Sequence, residues 1–125
     1  MDGKKFIFVL SHATEKPVEV IVMMKTATNM KAFDDEIELD FFLMGEGIQL
    51  AKKGVAETIF MELEGQKVVV SEMLNTLTQD FNVKFFVCHA FMPLYGMSKD
   101  DLIENSELNP SSAVQKLKTN EYDKL

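Results

Sequence analysis

The sequence predicts an α/β fold: a mostly parallel sheet of about five strands with helices on both faces. Three observations carry this. Phe6-Ile7-Phe8-Val9-Leu10 is an unbroken apolar run too short for a helix, as expected of a strand covered on both sides. Val83-Lys84-Phe85-Phe86-Val87 is a second short run, aromatic and β-branched. Around these runs the apolar spacing changes to that of helices, and strands alternating with helices imply parallel pairing through right-handed crossovers. The 125 residues are read as one domain, 1–125.

In chain order, Phe6 to Leu10 is the first strand and a candidate for the middle of the sheet. Ser11-His12-Ala13-Thr14 leaves it, with Thr14 as N-cap, Glu15 in the first helical turn and Pro17 early enough to be tolerated. The following helix is expected to bury Val18, Ile21, Val22, Lys25 and Thr28, with Val20, Met24 and Ala27 beside them. Met23, Met24 and Met30 are read as core filling. Asp34-Asp35 ends the helix. Glu36 to Phe41 then alternates and becomes apolar through Met44, a strand entering from solvent and finishing inside.

Gly45-Glu46-Gly47 closes that strand and Ile48, Leu50 and Ala51 begin another helix, stopped at Lys52-Lys53-Gly54. Neither the dinucleotide-binding nor the Walker glycine pattern is present there. Val55 to Leu63 fits helix and strand equally. Gly65 marks a turn, and the spacing Val70, Met73-Leu74, Leu77, Phe81 predicts a helix within 68–81. After the Val83–Val87 strand, Ala90 to Tyr95 reads as a short helix stopped by Gly96. A Ser98-capped turn, a short strand at Glu107-Leu108 and a last helix starting at Asn109-Pro110 around Ala113, Val114 and Leu117 complete the reading.

Composition narrows the function. With 46% hydrophobic and 26% charged residues, the chain has the make-up of a packed globular protein. A net charge of −7 without a Lys/Arg cluster argues against nucleic acid as a partner. No apolar stretch approaches the length needed to span a bilayer, and the run ending at Ser11-His12 is shorter than a signal-peptide core, so no membrane association is expected. One cysteine forms no internal disulfide, and with two histidines it falls short of a zinc site, so the expectation is a reducing cytoplasm with neither metal nor cofactor. The terminal Tyr122-Asp123-Lys124-Leu125 does not match a retention signal.

In parallel sheets, chemistry collects at the carboxyl ends of strands. Cys88 falls at such an end, directly before a helix whose N-terminus favours thiolate over thiol. Both histidines also fall at strand ends, His12 after the first strand and His89 next to Cys88, and Glu46 lies at a third. An imidazolium lowers a neighbouring thiol pKa, while a carboxylate either orients the imidazole or, placed too close, raises the thiol pKa. Cys88 is therefore the candidate nucleophile, with His12, His89 and Glu46 as candidate helpers. Against this stands the plain reading of Cys88 as a small buried apolar side chain.

These residues carry a resemblance. Phe6 to Thr14, Phe41 to Gly54, Val87-Cys88, Gly96-Met97 and Asp101-Leu102, taken in order, are similar to the DsrE/DsrF-like family, in its small peroxiredoxin-like branch. The resemblance implies a three-layer flavodoxin-like domain that assembles into homotrimers or hexamers. It also implies a sulfur relay: the cysteine at the position of Cys88 takes a sulfane sulfur as persulfide from a donor protein and passes it to an acceptor, a sulfurtransferase-type activity. The chain departs from the pattern in three ways. Tyr95 stands before Gly96 where many relatives have a basic residue, no second cysteine lies near Cys88, and the region after Leu108 differs. The missing second cysteine argues against a self-contained two-cysteine peroxidase, and two other readings stand beside the relay: a non-catalytic homo-oligomeric adaptor of the same fold, and peroxide reduction by Cys88 alone with an external reductant.

Overall fold

The computed structural model describes residues 5–104, 106–108 and 123–124. Strand β1 (Lys5–Leu10) leads into helix α1 (Pro17–Phe33) and strand β2 (Glu38–Leu43). Two 3-10 segments, Gly45–Ala51 and Ala56–Thr58, precede a hairpin of β3 (Phe60–Leu63) and β4 (Gln66–Val69). Helix α2 (Val70–Asn75) continues into a wider π turn, Thr76–Asp80. Strand β5 (Lys84–Val87), a 3-10 helix His89–Tyr95, a 3-10 turn Lys99–Asp101 and the short strands β6 (Ser106–Glu107) and β7 (Asp123–Lys124) follow.

The five-stranded sheet has the order β6-β5-β2-β1-β7, and every pair in it is parallel. The β3–β4 hairpin forms a separate antiparallel pair. The fold is thus α/β with a mostly parallel sheet, and the first strand is near its middle, as its unbroken apolar run implies. β2 lies between β1 and β5, with Phe8 beside Phe41 and Phe41 beside Phe85. Their rings meet edge-on at 5.0 Å and stacked at 4.6 Å, joining three strands through aromatic contacts. Val20, Ile21, Met24 and Ala27 of α1, Val70 and Leu74 of α2, and Ile48 and Leu50 bury against this face. Ile7, Phe42 and Phe86 are buried on the opposite face. Among the described residues, the helices that contribute buried side chains all do so to the first face.

Several expectations need correction. α1 starts at Pro17, with Lys16 rather than Thr14 at the N-cap position. Glu15 instead turns back and accepts the Ala13 N–H at 2.6 Å. The buried face of α1 is Val20, Ile21, Met24, Ala27 and Lys31, whereas Val18 and Val22 are more than half exposed. Lys31 can be buried because its ammonium donates to the carbonyls of Asp35 and Ile37, at 3.1 and 2.6 Å. The segment after Gly45 is a 3-10 rather than an α-helix. Val55–Leu63 divides between a 3-10 turn and β3, and Val68-Val69 belong to the hairpin instead of the helix. The hairpin turn is Glu64-Gly65, both at positive φ, the two-residue geometry that matches strand twist. The short strand expected at Glu107-Leu108 is Ser106–Glu107, and the helix expected from Asn109 lies outside the described residues.

Candidate functional site

The carboxyl ends of β1, β2 and β5 lie side by side, with β2 in the middle. Each ladder continues one bond past the strands: the Met44 N–H donates to the Leu10 carbonyl at 3.1 Å, and the Cys88 N–H to the Leu43 carbonyl at 2.9 Å. Met44 and Cys88 are thereby fixed in the line of the sheet, although neither is a strand residue. The chain then turns in 3-10 geometry after both.

Gly45 and Gly47 serve different ends. Gly45 has a φ of +54°, where glycine is unstrained. Gly47 sits where a Cβ would lie 2.0 Å from the Leu10 carbonyl oxygen, so the absence of a side chain lets Gly45–Ala51 lie directly on the end of β1. The Gly-x-Gly pattern is thus a close-packing device.

Cys88 is the N-cap residue of the 3-10 helix His89–Tyr95 and is partly exposed. It packs on both apolar clusters, at the rim where the two faces of the sheet meet. Its carbonyl accepts the Phe91 N–H at 3.2 Å, and Gly96, at φ +63°, ends the turn as expected. The helix has seven residues and includes Pro93, so only a short run of aligned peptides backs the sulfur.

His12 leaves β1, and one strand separates it from the β5 end; two strand spacings are about 10 Å. Its ring is held between two carboxylates. Nδ1 lies 2.8 Å from Glu15 and Nε2 3.3 Å from Glu19. Among the described residues no ring nitrogen of His12 bonds to the Cys88 sulfur. Burial pushes the Glu15 carboxyl up, but hydrogen bonds from the Ala13 N–H and His12 outweigh it and leave it below the usual value. The sequence reading took Glu15 only as a first-turn acid and did not single out Glu19; acids three and seven residues after a loop histidine, at a helix start, were the available signal.

Glu46 accepts a hydrogen bond from the Gln49 amide at 2.7 Å and faces the Tyr95 hydroxyl. Partial burial, then the charge and hydrogen bonding of Glu46, then the charge of Glu15 hold the Tyr95 phenol above its ordinary pKa. Glu46 and Tyr95 thus connect the two 3-10 segments that leave β2 and β5. His89 is exposed, and no hydrogen bond joins it to Cys88. The structure therefore brings Cys88, Glu46 and His12 to one edge, yet it joins Glu46 to Tyr95 and His12 to Glu15 rather than either to the sulfur.

Among the described residues no group of three or more His, Cys, Asp or Glu side chains is placed to hold a metal ion. A cleft of about 460 Å³ opens at the other end of the sheet, between Lys31, Asp40, Asp80 and Lys84. Its lining includes no cysteine, serine, threonine or histidine, whereas the carboxyl end holds the thiol, so the candidate site is placed at Cys88. Among the described residues no helix is long and apolar enough to cross a membrane.

The model of the DsrE/DsrF-like family matches residues 4–125. The chain belongs to the DsrE/DsrF-like family. Two solved structures share the DsrE-type fold. The ychN protein from E. coli superposes with a TM-score of 0.75 at 21% identity, over 97% of this chain and 96% of that one. A protein of unknown function, MTH1491, from Methanobacterium thermoautotrophicum gives 0.72 at 15% identity, over 98% and 97%. At these identities the likeness is one of fold alone. Comparison with curated proteins gives no match.

Proposed function

We propose that this DsrE/DsrF-like chain is a cytoplasmic sulfur-relay protein that carries a persulfide on Cys88. The observation that carries the proposal is the partly exposed thiol at the carboxyl end of β5, with its backbone tied to Leu43. The Cys88 thiolate attacks the outer sulfur of a donor persulfide, R–S–SH. A new S–S bond forms as the old one breaks, and the donor leaves as thiolate R–S⁻. An acceptor thiolate then attacks the outer sulfur of Cys88–S–SH and regenerates the Cys88 thiolate. Neither step requires an external oxidant or reductant, and a single cysteine suffices.

The finer expectations belong to the same reading: one domain in three flavodoxin-like layers, a homotrimer or hexamer, and protein partners as donor and acceptor. His12, Glu46 and His89 act through the electrostatics of the edge, because in this arrangement His12 and Glu46 are bonded to other side chains.

The test is intact-mass spectrometry after brief incubation with thiosulfate or polysulfide. One added sulfur mass, removed by dithiothreitol and absent in Cys88→Ser, is the expected result. No adduct, with Cys88 unreactive to iodoacetamide until the protein unfolds, would refute it. The non-catalytic adaptor is the second reading. It is favoured by the pairing of His12 with Glu15 and Glu19, and it predicts that Cys88→Ser leaves assembly and partner binding intact.

A further inference from the structure

Acidic residues flank Cys88 on both sides of β5. β2 and β5 run in register with Leu43 beside Val87, so Met44 lies next to Cys88 and Glu46 follows shortly after. One strand spacing and two steps along the chain put the Cα atoms of Glu46 and Cys88 within roughly 12 Å. On the other side Phe86 pairs with the exposed Glu107 of β6. The same spacings set Glu107 about 8 Å from Cys88. Beyond β2, Glu15 acts on the same Tyr95 phenol as Glu46, and Glu19 lies 3.3 Å from His12.

The cations nearby do not balance these acids. Lys16 is already engaged by Glu19, 3.7 Å away. Lys52 and Lys53 sit near Asp101, whose ionisation they favour, and Lys99 shares a turn with Asp100 and Asp101. Glu15, Glu19, Glu46 and Glu107 therefore stand against Lys16, and protonating both His12 and His89 would not reverse the sign. The screening length is about 8 Å at physiological ionic strength and about 30 Å at 0.01 M, so charges at these distances act on a molecule approaching the sulfur.

We propose that Glu46 and Glu107 are specificity-determining residues of the Cys88 site. They favour sulfur donors and acceptors with positive charge beside the reacting sulfur, such as a thiol flanked by Lys or Arg, and disfavour anions such as thiosulfate. The proposal rests on the sulfur-relay reading and adds the charge class of its substrates. The two carboxylates act through space, on the rate of encounter more than on the exchange itself. Anionic donors still load Cys88, more slowly, and salt weakens the discrimination.

The test compares two methanethiosulfonate reagents of similar size on the full chain, one ending in trimethylammonium and one in sulfonate. The Cys88 thiolate attacks the sulfenyl sulfur of either, a disulfide forms and methanesulfinate leaves. Each rate is divided by that of the same reagent with 2-mercaptoethanol in the same buffer. The ratio of the two normalised rates is independent of thiol ionisation, because both reagents meet the same thiolate. At an ionic strength of about 0.01 M the cation is expected to be favoured about tenfold or more, and the ratio to approach one at about 1 M. Combining Glu46→Gln with Glu107→Gln should lower the low-salt ratio about threefold or more, and Glu107→Gln alone should lower it in the same direction. Glu36→Gln, at the opposite end of the sheet, should leave it unchanged. A low-salt ratio near one while the persulfide mass still forms, or a ratio that the double variant leaves at the wild-type value, would overturn the charge selection and leave the relay standing. Cys88 unreactive to both reagents in the folded chain would overturn both.

Discussion

Gly47 lies so close to Leu10 that a Cβ on it would sit 2.0 Å from the Leu10 carbonyl oxygen. The neighbour is backbone in the central part of the sheet, so it cannot move aside as a side chain would. Gly47→Ala is expected to cost about 1–3 kcal/mol, the usual range for forced overpacking, read as a lower urea midpoint. A midpoint equal to wild type would show that Gly45–Ala51 is free to shift.

Phe41 is fully buried between the Phe8 and Phe85 rings. Phe41→Leu keeps an apolar group but loses both ring contacts, and about 1–3 kcal/mol of destabilisation is expected; Phe41→Ala should cost about 3–5 kcal/mol. Chemical denaturation of the two variants checks the order.

Lys31 is 92% buried, and its ammonium satisfies two carbonyls of the loop into β2. Lys31→Met preserves the stem and removes the donors. The expected loss is about 1–3 kcal/mol for the carbonyls left without them, with amide exchange accelerated around Asp35 to Ile37. Unchanged exchange there would show the carbonyls re-solvated without cost.

Glu15 and Asp101 both ionise below the usual carboxylate range. For Glu15 hydrogen bonds overcome the effect of burial; for Asp101 the Ser98 N–H is the leading cause, followed by the Ser98 side chain. A carboxyl with a depressed native pKa stabilises fully above its unfolded value, about 4, and loses that contribution as pH falls through the native value. Glu15→Gln and Asp101→Asn should therefore flatten the fall of the melting temperature between about pH 5 and 2. Glu15 is exposed and Asp101 only partly buried, so the change is small. An unaltered acid limb would remove these groups from the account.

Tyr95 gives the opposite sign. Its neutral form is favoured in the native state, so this contribution is present below the ordinary tyrosine value, about 10, and is lost as pH rises through the higher native one. The chain has two tyrosines. Ultraviolet titration should show a late component that disappears in Tyr95→Phe and moves to lower pH in Glu46→Gln. A single transition at the ordinary value would mean that Tyr95 and Glu46 do not meet.

The α/β class, the strand at Phe6 to Leu10 and the placement of Cys88 past a buried strand were legible because each rests on local apolar runs, which burial on both faces enforces. The exposed side of α1 was not legible: Val18 and Val22 have the chemistry of core residues, and only the helix register against the sheet decides which stripe goes inward. Val55–Leu63 was ambiguous because its partner, Gln66–Val69, is itself short; the two positive-φ residues Glu64-Gly65 tie them together. The edge around Cys88 was partly legible. Sequence placed His12 and Glu46 at strand ends; the pair His12–Glu15 had only its three-residue spacing as a signal, and Glu46–Tyr95 is set by loop geometry that no spacing rule contains.

The bond from the Cys88 N–H to Leu43 has a consequence for timescale. β2 is paired on both edges, so its amides are expected to exchange with solvent only on global unfolding, and Cys88 is fastened to that unit. The thiol thus sits at the end of one of the slowest-opening parts of the molecule. Any molecule meeting that sulfur must supply the motion of docking itself, and its arrival rate, rather than a rearrangement of this chain, is expected to set the pace of the encounter.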